Sequence, residues 1–238
     1  MYSIFYYVPV YLVLAALGMA IANRRAEVVV RRQRWVKYFS YIIITAIVIT
    51  SVFLGFFKWI ALIIVLAGCI ELVRTHFKNM RSLLLSFLIY SLIACGFILF
   101  SFNFGKEAVL FIYFQVFIFD AFGQITGQLF GKRQLVPKIS LAKTIEGLIG
   151  GWAFCIISAL LGAAWVDITL AEGLLFGLFT GLTSFCGDVL ASWFKRRQQI
   201  KDYSNWLPGQ GGFLDRFDSF IFTGCLYYLV SLLFEHFI

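Results

Sequence analysis

Seven of the twelve carboxylates of this 238-residue chain lie in the apolar runs or in the basic connections that join them: Glu71, Asp120, Glu146, Asp188, Asp202, Asp215 and Asp218. An ionisable group in an apolar setting is costly, so it usually faces a bundle interior or a wet cavity and carries function. The richest stretch is 192–218, SWFKRRQQIKDYSNWLPGQGGFLDRFD. Its cations Lys195, Arg196, Lys201 and Arg216 can neutralise phosphates. Pro208, Gly209, Gly211 and Gly212 permit a loop whose backbone N–H groups point at an anion. Asp215 and Asp218, three apart, share a helix face. Hard carboxylate oxygens without histidine or thiolate nearby suit Mg²⁺. Together these features describe a site for a metal-bound polyphosphate.

Two further stripes lead to the same region. Thr180, Ser184, Asp188 and Ser192 recur every four residues, and Lys195 continues the face one turn on. Beside them Gly173, Gly177 and Gly181 form a ridge suited to close helix contact. Asp120, Gln124 and Gln128 repeat the polar design, with Gly123, Gly127 and Gly131 as the ridge. Asp120 has two readings, a ligand-facing carboxylate or a structural hydrogen-bond acceptor. In Ser140-Leu141-Ala142-Lys143-Thr144-Ile145-Glu146-Gly147, Ser140 or Lys143-Thr144 can cap the following helix. Glu146 then falls in its first turn, as a dipole partner or as a site residue. Lys143 at a helix N-terminus makes a phosphate-binding corner.

The elements that position these residues are membrane helices. The chain is 61% hydrophobic and 13% charged, against about 25% charged in soluble domains. Apolar runs of roughly 20 residues, the length that spans a bilayer, recur throughout. Eight spans are expected, near 3–23, 38–57, 59–73, 82–100, 107–130, 144–166, 168–192 and 217–238, with a hairpin at Lys58-Trp59. The first run lacks a basic flank and a clear cleavage site and reads as a retained helix. An all-α polytopic bundle follows, one domain over 1–238. Residues 1–106 would supply N-terminal helices and 107–238 the catalytic helices and loop. The five cysteines lie within apolar runs with no metal-ligand spacing.

Eighteen of the 20 Lys and Arg fall in the first, third, fifth and seventh connections, leaving Lys58 and Lys106 on the other side. The positive-inside rule then places the basic loops and the site in the cytoplasm and both termini outside. The net charge of +8 reflects that rule and anionic lipid, not nucleic acid.

The spacing of Ser192, Lys195-Arg196, Lys201-Asp202, Pro208-Gly209-Gln210-Gly211-Gly212 and Asp215-Arg216-Phe217-Asp218 resembles the signature of the phosphatidate cytidylyltransferases, the CDP-diacylglycerol synthases. Asp188 after Gly187, the block from Asp120 through Gly131-Lys132 to Gly147, and Glu71 resemble other parts of that family. Two departures stand out. Gln210 replaces the signature histidine, and SLAKTIEG replaces a block with an extra lysine, a proline and a tryptophan.

The resemblance implies transfer of CMP from CTP to a lipid phosphate, giving CDP-diacylglycerol and pyrophosphate. Asp188, Asp218 and Asp215 would hold one or two Mg²⁺, with a monovalent ion as a further candidate. Lys195, Arg196, Lys201 and Arg216 would bind the phosphates. Ser192, Asp202, Gly211 and Gly212 would complete the substrate site, and Asp120, Lys143 and Glu146 would line the same cavity. The family also implies an inner-membrane homodimer. A CTP-dependent polyprenol or phytol-type lipid kinase, which would release CDP, and a transporter are the competing readings.

Overall fold

The computed structural model describes residues 4–24, 26–75, 80–207 and 211–233. Within them are eight α-helices: α1 (Ile4–Ala22), α2 (Val28–Phe53), α3 (Phe57–Thr75), α4 (Met80–Asn103), α5 (Lys106–Phe130), α6 (Ile145–Gly162), α7 (Leu170–Arg197) and α8 (Leu214–Leu233). They occupy the eight expected stretches. Five segments are long and apolar enough to cross a bilayer: α2, Leu83–Asn103 of α4, α5, α6 with the turn after it, and α7. The protein is a multi-pass helical membrane protein.

Three boundaries depart from the sequence reading. α2 begins at Val28, ten residues earlier than expected, so Arg31, Arg32, Arg34 and Lys37 lie on its opening turns rather than in a loop. Arg34 explains part of this: its guanidinium donates to the Ala22 carbonyl (3.0 Å) and the Asn23 amide oxygen (3.1 Å), tying α2 to the end of α1. α7 runs through Arg197, which puts Lys195 and Arg196 in its last turn, where cations favour the carbonyl end of the dipole. The expected all-α chain also carries a hairpin. β1 (Gln134–Val136) pairs antiparallel with β2 (Ser140–Thr144) between α5 and α6. The chain must reverse there, and pairing satisfies backbone groups that neither helix reaches.

The chain divides into two compact units, 1–43 with 110–182 and 44–109 with 183–238, which interleave along the sequence and cut across the expected division at 106/107. In the first unit, Tyr11 and Ala15 of α1 bury against Phe114, Phe117, Ile118, Phe122 and Ile125 of α5. The glycine ridges do what their spacing suggests. A Cβ on Gly147 would stand 2.8 Å from the Gly123 carbonyl, and one on Gly151 2.8 Å from that of Phe119, so α5 and α6 touch backbone to backbone. The other face of α6 takes the second ridge, with Gly173 and Gly177 against Ala159 and Ile156. Thr144 caps α6 by accepting from the Gly147 N–H. Thr169 and Glu172 form a reciprocal capping box at the start of α7.

In the second unit, α8 packs along α4 and α3 through Phe220, which meets Phe97 edge-on at 5.1 Å and Phe57 at 6.2 Å. Gly55, at φ +79°, turns the chain from α2 into α3, the hairpin expected near Lys58.

Substituting leucine for Gly147 should destabilise the protein by about 1–3 kcal/mol of overpacking and lower its melting midpoint in detergent, because the nearest neighbour of its Cβ is the backbone carbonyl of Gly123. Gly105→Ala, which meets one atom at 3.9 Å, should leave the midpoint near that of the parent. Equal midpoints for the two variants would contradict the ridge.

Candidate active site

The second unit gathers most of the expected site. A Cβ on Gly187 would lie 2.8 Å from the Phe222 Cβ and 3.1 Å from the Ser219 Cα. This glycine therefore brings α7 against α8, and the residues beside the contact, Asp188 and Asp218, come close enough for their carboxylates to repel each other. Ser192 donates to the Asp188 carboxylate at 3.4 Å, one turn along α7. Lys195 completes the cluster. Its buried ammonium makes an ion pair with Asp215 at 2.6 Å and is also attracted by Asp218 and Asp188.

Asp215 is engaged on both oxygens. One takes Lys195; the other accepts the N–H groups of Tyr203 and Gly212, each at 2.8 Å. Glu71, fully buried on α3, does the complementary work. Its carboxylate accepts from the N–H groups of Phe213 (2.9 Å) and Leu214 (2.8 Å) and from the Ser204 hydroxyl (2.5 Å). A side chain on Gly212 would collide with that carboxylate, and one on Gly211, at φ +87°, would meet Asp215 and Asp202. Both signature glycines are thus explained by close approach of carboxylates to backbone.

The loop itself is stapled by rings. Tyr203 stacks on Phe194 and lies under Lys195; Trp206 packs on Phe213 and beneath Arg74. Burial first, then the charges of Asp218 and Asp215, hold the Tyr203 phenol well above the usual tyrosine range, so it stays protonated. Leu207 donates to the Gly211 carbonyl and closes the neck of the turn. Pro208, Gly209 and Gln210 lie outside the described residues. Lys201 and Asp202 are exposed on the loop. Arg196 is exposed and donates to the Ile200 carbonyl, and Arg216 is half-buried.

In the first unit, Glu146 accepts from the backbone N–H groups of Lys132 (3.0 Å) and Arg133 (3.2 Å), binding the start of α6 to the chain leaving α5. Lys143 is the penultimate residue of β2, next to the cap residue Thr144. Asp120 is half-buried on α5, while Gln124 and Gln128 line a small cavity with Arg34 and Lys37.

The donor set can be judged against a divalent cation. Among the described residues no three His, Cys, Asp or Glu side chains converge on one point. The Asp188–Asp218 pair remains, and Mg²⁺ is commonly held by one or two carboxylates completed by substrate phosphates and water. Two mutually repelling carboxylates fit that requirement; Asp215, already bonded on both oxygens, is accounted for without it.

A family model described as the cytidylyltransferase family matches residues 1–234. The chain belongs to that family. Among curated relatives, it is 41% identical over 121 residues to a protein of Staphylococcus saprophyticus named phosphatidate cytidylyltransferase, covering 50% of this chain and 46% of that one. It is 38% identical over 126 residues to a protein of the same name from Aquifex aeolicus, covering 51% and 46%. A third relative, named uncharacterized protein YnbB, from Escherichia coli K12, is 40% identical over 125 residues, covering 52% and 42%. The chain spans about half the length of the curated relatives it matches.

For a cytidylyltransferase-family chain, the residue that motif reading underweighted is Glu71. Its sequence signals were an acid in an apolar run and a resemblance to a family glutamate, neither of which names its partners, and these lie 133 to 143 residues away. Replacing Glu71 with alanine leaves buried N–H groups unbonded, at about 1–3 kcal/mol. Asp215→Ala strands a buried lysine, at about 3–5 kcal/mol. Both variants should accelerate tryptic cleavage at Lys201 in the detergent-solubilised protein. Cleavage as slow as in the parent would refute the clamp.

Proposed function

We propose that the protein transfers CMP from CTP to a lipid phosphate, with phosphatidate as the acceptor. The observation that carries this reading is the buried lysine flanked by the Asp188–Asp218 pair at the head of a glycine loop, in a membrane chain of this family. A phosphate acceptor is already largely ionised near neutral pH, its second pKa being about 6. Its oxygen can attack the α-phosphorus of CTP without a general base, and pyrophosphate leaves. Gln210 in place of the signature histidine is compatible with that chemistry, since it retains hydrogen-bonding capacity.

The residues of this chain then act by position and charge. Asp188 and Asp218 would hold Mg²⁺, which when bound neutralises charge on the reacting phosphates. Lys195, fixed by Asp215, places a cation beside them. Arg196 from the last turn of α7, Lys201 from the loop and Arg216 from the start of α8 reach phosphate oxygens. Asp215 and Glu71 are positioning residues, since they hold the loop and Lys195. The 18-to-2 division of Lys and Arg supports an arrangement with the basic loops and this site in the cytoplasm and both termini opposite.

Purified protein given CTP, Mg²⁺ and phosphatidic acid should release pyrophosphate. Asp188→Asn and Asp218→Asn should each reduce the rate by about 10³-fold or more while expression and melting midpoint hold. Release of CDP instead would favour a lipid kinase, and full activity in both variants would remove the carboxylate pair from the mechanism.

A further inference from the structure

The small cavity beside the polar stripe of α5 lies wholly within the first unit and measures about 30 Å³. Gln124 and Gln128, on the last two turns of this spanning helix, are both wall and surface residues. Arg34, Lys37 and Tyr38 of α2 and Met19 of α1 are also in the wall, while Asp120, one turn before Gln124, is not. Polar side chains in a membrane helix are costly and ordinarily face a bundle interior or a wet cavity. Here two glutamines open onto a cavity that has two cations in its wall.

The wall is fixed before any ligand arrives. Both hydrogen bonds of the Arg34 side chain leave from Nη1, toward the Ala22 carbonyl and the Asn23 amide oxygen. The Tyr38 hydroxyl donates to the Leu12 carbonyl at 2.9 Å. α2 is thus tied to α1 at two levels. Among the described residues, Nε and Nη2 of Arg34 have no protein acceptor, and neither has the buried Nδ2 of Asn23 beside it.

A guanidinium and an ammonium offer only donors, and each glutamine amide adds two more. That set matches a compact anion with several acceptor oxygens, which is a phosphate. A volume of this size takes about two waters, so it admits part of a headgroup and leaves a hydrocarbon tail in the bilayer. The cavity also lies at the right level, where α1 ends, α2 begins and α5 runs out toward Lys132 and Arg133. Basic pockets between membrane helices at that level hold anionic headgroups.

We propose that this cavity binds the headgroup phosphate of an anionic membrane lipid that is not consumed, with Arg34 and Lys37 on its oxygens and Gln124 and Gln128 at the mouth. The inference does not rest on the proposed transfer, to which none of these residues was assigned. A phosphate seated there bridges α2 and α5, and binding to the folded chain alone stabilises it by mass action.

The full chain in neutral detergent is titrated with phosphatidylglycerol or phosphatidylcholine, and bound lipid is counted by native mass spectrometry. One phosphatidylglycerol should be retained per chain in preference to phosphatidylcholine, and the melting midpoint should rise by about 2–4 °C. Lys37→Gln should weaken retention about fivefold, the attraction of one lysine. Gln128→Leu, at an exposed position and milder for folding, should weaken it about threefold, the loss of one hydrogen bond. Arg32→Gln, exposed on the same opening turns but outside the wall, should leave retention unchanged. Equal weakening by Lys37→Gln and Arg32→Gln would mean diffuse surface attraction and overturn the site. Retention at the parent level in Gln128→Leu would overturn it as well. Displacement of the lipid by inorganic phosphate or CTP at matching concentration would give the cavity to a soluble phosphate and overturn the lipid as its occupant.

Discussion

Backbone N–H groups buried beside hydrocarbon have no water to bond, and a helix start leaves several of them unpaired. The segment entering α8 meets this constraint with two carboxylates from distant parts of the chain. Glu71 accepts from Phe213 and Leu214, and Asp215 accepts from Tyr203 and Gly212. Asp215 is in turn neutralised by Lys195 from α7. Remove this arrangement and three things go together: the register of the loop, the direction of the lysine, and the start of the helix that carries Asp218. The site geometry therefore depends on two carboxylates, Glu71 and Asp215, whose oxygens are taken up by the protein itself.

Close backbone contact is the second requirement. Gly187 brings α7 to α8 and sets Asp188 beside Asp218, and Gly212 leaves room for Glu71. In the first unit the same device works twice on α6, with glycines of α5 on one face and of α7 on the other. Small residues thus define where helices meet, and the polar residues next to them inherit fixed positions.

Much of this was legible in the residues. Apolar run length located the helices, because a backbone segment in hydrocarbon must satisfy its own N–H and C=O groups. The four-residue recurrence of glycines marked contact faces, since helical periodicity converts spacing directly into direction. The signature spacing placed Lys195, Asp215 and Asp218 in one neighbourhood. What spacing could not show is what each carboxylate bonds. Asp215 and Asp218, three apart and chemically identical, differ because only Asp215 faces the loop N–H groups. Glu71 was opaque for the opposite reason, with partners more than 130 residues away. The hairpin at 134–144 escaped because two short strands without alternation carry little periodic signal.

The proposed centre for attack at the α-phosphorus of CTP is the carboxylate pair with its lysine. The fate of label decides this most directly. With [α-³²P]CTP and phosphatidate, radioactivity should pass into the lipid extract, while label from [γ-³²P]CTP should stay in the aqueous phase as pyrophosphate. Label from the γ-position in the lipid, with none from the α-position, would contradict the central claim.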